Sequence, residues 1–275
     1  MFEEILKKAA DTNLVQNEGD YIKDGLLYCG KCNTPKQVEI NLFGKIMKPQ
    51  CMCECETAAE EERKRRIAQI QAHEEIERNK SICFLDIETR GCTFGSDDKA
   101  NPKISNISMR YVENFVELYK KGKGLMYLGN AGTGKSFQAA CIANALTDRG
   151  YKCLMTNFPR IINEVTGLFE GKQEYIDGLN RFDLLIIDDL CIERDTEYTA
   201  EIIQNVVDSR YRTGKPLIVT SNLTKSEIDN PKDIRKERLF SRLASMCMMI
   251  PVVGKDRRKE ASANKDAEMR KLLGL

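Results

Sequence analysis

Residues 129–136 read GNAGTGKS, and this stretch decides the fold of the chain. Before it lies the apolar run GLMYLG, which predicts a buried strand, and after it SFQAACIANALTDRG, which predicts a helix ending near Gly150. A glycine-rich loop between a strand and a helix turns backbone N–H groups toward phosphate oxygens, and the helix adds the positive end of its dipole. The stretch therefore predicts a nucleoside triphosphate site, and we expect ATP as its ligand.

The residue types of this loop match the chemistry of phosphate binding. The glycines allow the chain to wrap tightly, Lys135 is expected to reach the β and γ phosphates, and Ser136 is expected to bind Mg²⁺. A glycine-rich turn without this function is the alternative, and the flanking strand and helix argue against it. The residues of the loop that we predict to bind the nucleotide are Gly129, Asn130, Ala131, Gly132, Thr133, Gly134, Lys135, Ser136 and Phe137.

Strand and helix patterns alternate after the loop. Three segments are typical of buried strands: YKCLMTN, DLLIIDDL and PLIVTSN. Two segments between them are typical of helices: FPRIINEVTGLF and EYTAEIIQNVVDSRYRTG. This alternation predicts an α/β domain with a parallel sheet flanked by helices.

Polar side chains follow two of these strands. Asp188 and Asp189 end LLIIDDL, and Asn222 ends PLIVTSN, so all three are expected at the sheet edge where ligands of open α/β sheets bind. Asp188 suits Mg²⁺, Asp189 suits the polarisation of an attacking water, and the Asn222 amide can hold that water. The alternatives are a helix N-cap for the aspartates and a simple turn for the residues around Asn222.

Five arginines crowd the end of this domain, in DIRKERLFSRLASMC and GKDRR. A guanidinium can stabilise the charge that develops during phosphoryl transfer, within one chain or across two. For any one arginine alone, a solvated helix face is the simpler interpretation. These residues are Arg235, Arg238, Arg242, Arg257 and Arg258.

A cysteine cluster near the amino terminus has the pattern C-x2-C-x18-C-x-C-x-C. Clustered thiolates of this spacing are typical of a tetrahedral zinc site. A tetrahedral site needs only four thiolates, and the cluster has five: Cys29, Cys32, Cys51, Cys53 and Cys55. The spacing leaves open which of the last three is not a ligand. The isolated Cys83, Cys141, Cys153, Cys191 and Cys247 are expected to be free buried cysteines, and His73 a solvated residue.

Composition limits the remaining possibilities. The 275 residues include 43 basic and 42 acidic side chains, a net charge of +1, so any DNA contact must be local. No window reaches the roughly 18 apolar residues of a membrane span, and MFEEILKKAADTN lacks the core of a signal peptide, so we expect a cytoplasmic protein without a membrane role. We expect a zinc-ribbon-like module at 1–57, a charged helical linker at 58–82, the ATPase domain at 83–260 and a tail at 261–275.

Taken together, these motifs resemble the DnaC/IstB-like AAA+ ATPases, specifically bacterial and phage helicase loaders with an amino-terminal zinc module. The resemblance covers most of the chain. It is carried by YCGKCNTPK with CMCECE, GNAGTGKS, DLLIIDDLCIERDTEY, VVDSRYRTGKPLIVTSNL, and ERLFSRLASMC with GKDRR. Two departures are Cys191, where such proteins usually have glycine, and the tail beyond Arg258.

The resemblance implies roles that the spacing alone does not. It implies that Asn222 is a first sensor, Arg242 a finger that reaches a neighbour's nucleotide, and Arg258 a second sensor. It also implies that the zinc module binds the replicative helicase, and that the AAA+ domain self-associates and binds ATP, Mg²⁺ and single-stranded DNA. The expected function is ATP-dependent loading of a helicase during initiation of DNA replication, with ATP hydrolysis.

Three other functions are compatible with parts of the sequence. A transposition helper ATPase would use the same domain on duplex DNA and a transposase. A P-loop kinase acting on a small molecule needs an acceptor pocket and a mobile arginine-rich lid, for which the short connections leave little room. A non-catalytic scaffold would bind a partner through zinc and use ATP only to stabilise its fold.

Overall fold

The structure is a computed structural model that describes residues 16–84, 86–190, 196–231, 233–257 and 269–273. It divides into two compact units, Met1–Glu74 and Glu75–Leu275. The division falls inside a long helix, α1 (Glu54–Cys83), which contains the charged segment 58–82. None of the helices in the described ranges combines the length and apolarity needed to span a bilayer.

Two short hairpins form the described part of the first unit before α1. Strand β1 (Tyr21–Lys23) pairs antiparallel with β2 (Leu26–Tyr28), and β3 (Ile40–Leu42) pairs antiparallel with β4 (Lys45–Met47). Both turns consist of two residues with positive φ, the second a glycine, which matches the twist of a hairpin. Such small sheets bury little apolar surface, so this unit needs another source of stability.

The second unit contains a five-stranded parallel sheet, as the alternating pattern predicted. Its strands are β5 (Gly124–Leu128), β6 (Cys153–Asn157), β7 (Leu184–Asp188), β8 (Leu217–Ser221) and β9 (Cys247–Pro251). They are arranged in the order β6-β7-β8-β5-β9. The strand before the predicted phosphate loop is therefore an interior strand, between β8 and β9.

Helices cover both faces of this sheet. Alternate residues of β7 belong to two separate apolar layers, Leu184 and Ile186 to one and Leu185 and Ile187 to the other. The helices are α2 (Ile87–Arg90), α3 (Pro102–Glu113), α4 (Phe115–Lys120), α5 (Lys135–Asp148), α6 (Phe158–Gly167), α7 (Lys172–Gly178), α8 (Glu197–Thr213), α9 (Lys225–Asp229) and α10 (Ile234–Met246).

The buried Arg210 links the amino-terminal ends of two strands, at the edge of the sheet opposite the predicted site. The Arg210 guanidinium donates to the carbonyl oxygens of Phe182 (2.9 Å), Asp183 (2.9 Å) and Pro216 (2.8 Å), which precede β7 and β8. Burial lowers the pKa of Arg210 to about 10, and the group stays protonated at neutral pH. These bonds help to hold β7 and β8 side by side, so that their polar carboxyl ends meet.

Two elements differ from the sequence patterns. Residues 106–124, NISMRYVENFVELYKKGKG, have apolar residues at helical spacing throughout. In the structure the helix is interrupted at Asn114, whose side chain donates to the Arg110 carbonyl at 2.8 Å and caps α3. Strand β9 was not predicted, because CMMIP is short and flanked by a helix without a turn signal.

Candidate nucleotide site and cysteine cluster

The glycines of the loop are required by its close packing. A Cβ atom on Gly129 would lie 2.1 Å from the Val252 carbonyl oxygen, and one on Gly132 would lie 1.8 Å from Asp256 Oδ1. Gly132 and Gly134 also have φ of 73° and 93°, in the left-handed region that glycine tolerates. The loop thus wraps closely before α5 begins at Lys135.

Lys135 lies inside the loop. Its Nζ donates to the carbonyl oxygens of Gly129 and Asn130, each at 2.7 Å, and to Asn222 Oδ1 at 2.9 Å. The side chain is buried, so its ammonium group is positioned by the loop and by the end of β8. This contact places Asn222 next to the lysine that we expect to bind phosphate.

Thr220 holds the two aspartates at the end of β7. Its hydroxyl donates to Asp188 Oδ1 at 2.6 Å and accepts from the Asp189 backbone N–H at 2.8 Å. Asp189 has φ of 55°, a strained value for a residue with a side chain, and its Oδ1 accepts from Asn222 Nδ2 at 3.3 Å. The next helix in the described residues, α8, has Thr196 and not an aspartate as its N-cap. The sequence patterns did not single out Thr220.

These groups surround one cavity of about 300 Å³ at the carboxyl edge of the sheet. The Ser136 hydroxyl and the Asp188 carboxylate in its wall are hard oxygen ligands of the kind Mg²⁺ prefers. The residues that line it are Ala131, Gly132, Thr133, Gly134, Lys135, Ser136, Phe137, Asp188, Asp189, Thr220, Asn222 and Arg257. Gly129 and Asn130 contribute through the carbonyl groups that bind Lys135.

The arginine in this cavity is Arg257, which the sequence grouped with four others without assigning it a role. Its backbone N–H donates to the Gly132 carbonyl at 3.0 Å, and its guanidinium lies 3.2 Å from Asp98 Oδ1. The neighbouring Arg258, to which the resemblance assigns the second sensor, is outside the described residues. So is Cys191.

Arg242 is not part of its own chain's cavity. Its Nε lies 2.6 Å from Asp208 Oδ1, and its guanidinium carbon lies 5.0 Å from the centre of the Tyr211 ring. These contacts fix it between α10 and α8 on a partly exposed surface that also includes Arg238. Arg242 therefore does not line the nucleotide cavity of its own chain in the described residues.

Four of the five clustered cysteines come together in the first unit. The Sγ atoms of Cys29, Cys32, Cys53 and Cys55 all lie within 4.8 Å of one another. Cys51 points elsewhere, with its Sγ 3.6 Å from the Pro35 carbonyl oxygen. The structure therefore selects Cys51 as the spare cysteine, which the spacing left open.

The chemistry of this cluster fits a cation. The Thr34 hydroxyl and backbone N–H groups lower the pKa of Cys32 to about 6, whereas the neighbouring thiols raise the pKa of Cys55 to about 12. Four thiolates at this separation repel one another, and a Zn²⁺ ion would remove that repulsion. Beside the cluster, the buried Lys36 lies 2.9 Å from Asp20 and 3.0 Å from Glu56, whose Oε2 accepts from the Cys53 N–H.

The isolated cysteines behave as expected where the structure describes them. Cys83, Cys141, Cys153 and Cys247 are free and buried. Burial raises the pKa of Cys83 and of Cys247 to about 12, so these thiols stay neutral. His73 is exposed on α1.

Known proteins resemble this chain in sequence and in structure. It is 26% identical over 191 residues to the replicative helicase loader DnaI of Bacillus subtilis (strain 168), a match that covers 64% of this chain and 61% of that protein. It is 29% identical over 122 residues to the replicative helicase loader DnaC of Escherichia coli (strain K12), covering 43% and 49%. The matches thus span less than two thirds of these relatives.

A crystal structure of DnaI has the same fold, with a TM-score of 0.53 and 24% identity over 66% of this chain and 99% of that one. The sheet and helices of the second unit therefore have the fold of DnaI. The model of the family described as IstB-like ATP binding protein matches residues 105–265, more than half of the chain, and this range contains every residue that lines the cavity. This chain belongs to the family of IstB-like ATP binding proteins.

Proposed function

We propose that this chain is an ATP-hydrolysing helicase loader that acts in the initiation of DNA replication. The observation that carries the proposal is the convergence of Lys135, Asp188, Asp189 and Asn222 on one cavity. The names of the two relatives, both replicative helicase loaders, support the choice of partner. The family match supports the choice of ATP.

Binding of the nucleotide uses the loop and the start of α5. The loop N–H groups and Lys135 would hold the phosphates, with the positive end of the α5 dipole adding to the attraction. Ser136 and Asp188 would hold Mg²⁺, which neutralises phosphate charge when bound. Thr220 positions the Asp188 carboxylate for this role through its 2.6 Å bond.

Hydrolysis would use Asp189 and Asn222. Asp189 is placed to orient and polarise water, and the Asn222 amide spans the distance between this carboxylate and Lys135. A Glu is the expected residue at position 189, and the Asp side chain is one methylene shorter. Its reach to the water is therefore reduced, and we expect a modest turnover that a partner can raise. Transfer of the γ phosphate to a metabolite instead of water would favour the kinase alternative.

Self-association would bring Arg242 to a second copy of the chain. Asp208 and Tyr211 hold its guanidinium at the surface, away from the cavity of its own chain. A planar guanidinium held in this way can stabilise developing phosphate charge across a subunit interface. The proposed assembly therefore places the nucleotide between neighbours.

The first unit would bind zinc and the helicase. Cys29, Cys32, Cys53 and Cys55 would supply the four thiolates, and the metal would stabilise hairpins that bury little surface. Single-stranded DNA is the proposed second partner, bound by the AAA+ unit.

Co-purification with a hexameric replicative helicase tests the proposal, repeated without ATP and with zinc chelated. We expect retention of the helicase to depend on zinc and not on ATP, because the two units have separate roles. Equal retention after chelation would contradict the assignment of the first unit. No retention under any condition would contradict the choice of partner.

An IstB-like transposition helper is the second candidate, and the family match is compatible with it. Such a protein would bind duplex DNA and a transposase. Binding of this chain to duplex DNA in preference to single strands, together with no retention of helicase, would select that function.

A further inference from the structure

The guanidinium in the phosphate cavity already has an anionic partner. Arg257 Nη1 lies 3.2 Å from Asp98 Oδ1, and the arginine lines the same cavity as Lys135. Its guanidinium carbon lies 3.6 Å from the position that a Cβ on Gly134 would occupy. A phosphate group bound by the loop would therefore contact the Arg257 guanidinium, which already forms an ion pair with Asp98.

Asp98 is fixed by its own loop, residues 93–101. The Oδ1 atom that contacts Arg257 also accepts from the Ala100 backbone N–H at 3.0 Å. This bond is local, so it remains when the arginine moves. The carboxylate cannot follow the guanidinium without breaking a bond of its own loop.

Hydrogen bonds from three other parts of the chain hold this loop in place. Asp97 accepts from Gln138 Nε2 of α5 at 2.9 Å and from the Ser105 hydroxyl. Burial would raise the pKa of Asp97, but these hydrogen bonds outweigh burial and lower the pKa, so the anchor stays ionised. Asn101 Nδ2 donates to the Val253 carbonyl at 3.1 Å, four residues before Arg257.

A bound phosphate and Asp98 compete for one guanidinium. Phosphate oxygens bind a guanidinium in the same forked geometry as a carboxylate and carry more charge. Whatever free energy holds Arg257 to Asp98 is subtracted from the free energy of nucleotide binding. Because Asp98 is fixed, it remains available to recapture the arginine when the nucleotide leaves.

We propose that Asp98 sets the nucleotide affinity of this site by competing with the phosphates for Arg257. Asp98 is then an affinity-determining residue that touches no nucleotide atom, and Arg257 is the group through which it acts. The inference rests on the proposed function only in that ATP binds in this cavity. It applies equally to a loader and to a transposition helper.

A double-mutant cycle tests this competition by titrating the full chain with ATP and Mg²⁺. The four proteins are wild type, Asp98→Asn, Arg257→Ala and the double variant. We expect Asp98→Asn to tighten ATP binding about two- to fivefold, the range for a partly exposed ion pair. In the Arg257→Ala background the same substitution should change the Kd by less than about 1.5-fold.

Two other results would overturn the proposal. An equal gain in both backgrounds would mean that Asp98 acts by general repulsion of the nucleotide, and an unchanged or weaker affinity of Asp98→Asn would mean that it does not compete. Arg257→Gln provides a second background if the alanine variant binds too weakly to titrate. Glu117→Gln is the control, since it removes one negative charge from an exposed pair with Lys120 and should leave the Kd unchanged.

Failure of this inference can be told from failure of the proposed function. If wild type binds ATP, Lys135→Ala does not, and Asp98→Asn is neutral, then only the role of Asp98 is wrong. If wild type binds no ATP, both are wrong.

Discussion

At the scale of single residues, the candidate site depends on groups that act through their neighbours. Thr220 touches both aspartates, yet in the sequence it is one more β-branched residue of a strand. Asp188, Asp189 and Asn222 could be predicted because polar residues at strand ends stand out against an apolar run. Thr220 and Asp98 could not, because their partners are 32 and 159 positions away along the chain.

Thr220→Val should impair hydrolysis more than binding. The substitution removes the hydroxyl that fixes Asp188 and Asp189, and loss of such a supporting contact reduces activity roughly 10- to 100-fold. The unpaired Asp189 N–H should also cost about 1–2 kcal/mol of stability. Steady-state ATPase assays and chemical denaturation measure the two effects.

The control for this variant is Thr147→Val. Thr147 is equally buried, but its hydroxyl donates to the Ala143 carbonyl within α5 and makes no contact with the cavity. Its turnover should remain that of wild type. Equal loss of turnover in both variants would show that Thr220 has only a structural role.

Two glycine substitutions compare a positive φ with crowding, at Gly129, and a positive φ without crowding, at Gly150. Gly129→Ala pushes a Cβ against the Val252 carbonyl and should weaken ATP binding roughly tenfold or more, since displacement of the loop misplaces its N–H groups. Gly150 has φ of 87° and open space around it, so Gly150→Ala should cost about 1 kcal/mol of stability and leave the Kd for ATP unchanged. Nucleotide titrations and thermal unfolding measure both. Normal ATP binding by Gly129→Ala would contradict the described loop.

At the scale of elements, the parallel sheet followed from local patterns, whereas β9 and the choice of cysteines did not. Buried parallel strands are continuous apolar runs, so β5, β7 and β8 are visible in the sequence. The spacing of Cys51, Cys53 and Cys55 allows any pair to face Cys29 and Cys32. The three-dimensional path of the chain before α1 decides between them.

Zinc content distinguishes the cysteines. Cys53→Ser should lose most of the metal, because it removes one of four converging thiols, whereas Cys51→Ser should retain about one Zn²⁺ per chain. Elemental analysis of the purified proteins measures the ratio. Loss of zinc from Cys51→Ser with retention by Cys53→Ser would contradict the cluster.

At the scale of the whole molecule, the two units have separate chemistry. One carries soft thiol ligands, and the other carries a cavity of hard oxygen atoms and cationic side chains. Arg242 lies outside the cavity of its own chain, and we propose that it acts on the nucleotide of a further copy of the chain. Its sequence position alone could not show this, because five arginines lie within 24 residues.

Mixing two inactive variants tests whether Arg242 acts across subunits. Lys135→Ala and Arg242→Ala should each lose ATPase activity, and an equal mixture should recover about a quarter of the wild-type rate, since one interface in four then combines an intact loop with an intact arginine. Arg235→Ala, which removes an exposed contact with Glu197, should remain active alone. A mixture that recovers nothing would indicate action within one chain.

The central claim is that ATP binding at GNAGTGKS drives helicase loading. The most direct test measures the loading of a hexameric replicative helicase onto single-stranded DNA with wild type, Lys135→Ala and the control Lys225→Ala, whose side chain forms an exposed pair with Asp229. We predict that Lys135→Ala still binds the helicase but loads none, and that Lys225→Ala loads as wild type does. Loading by Lys135→Ala at the wild-type level would contradict the claim.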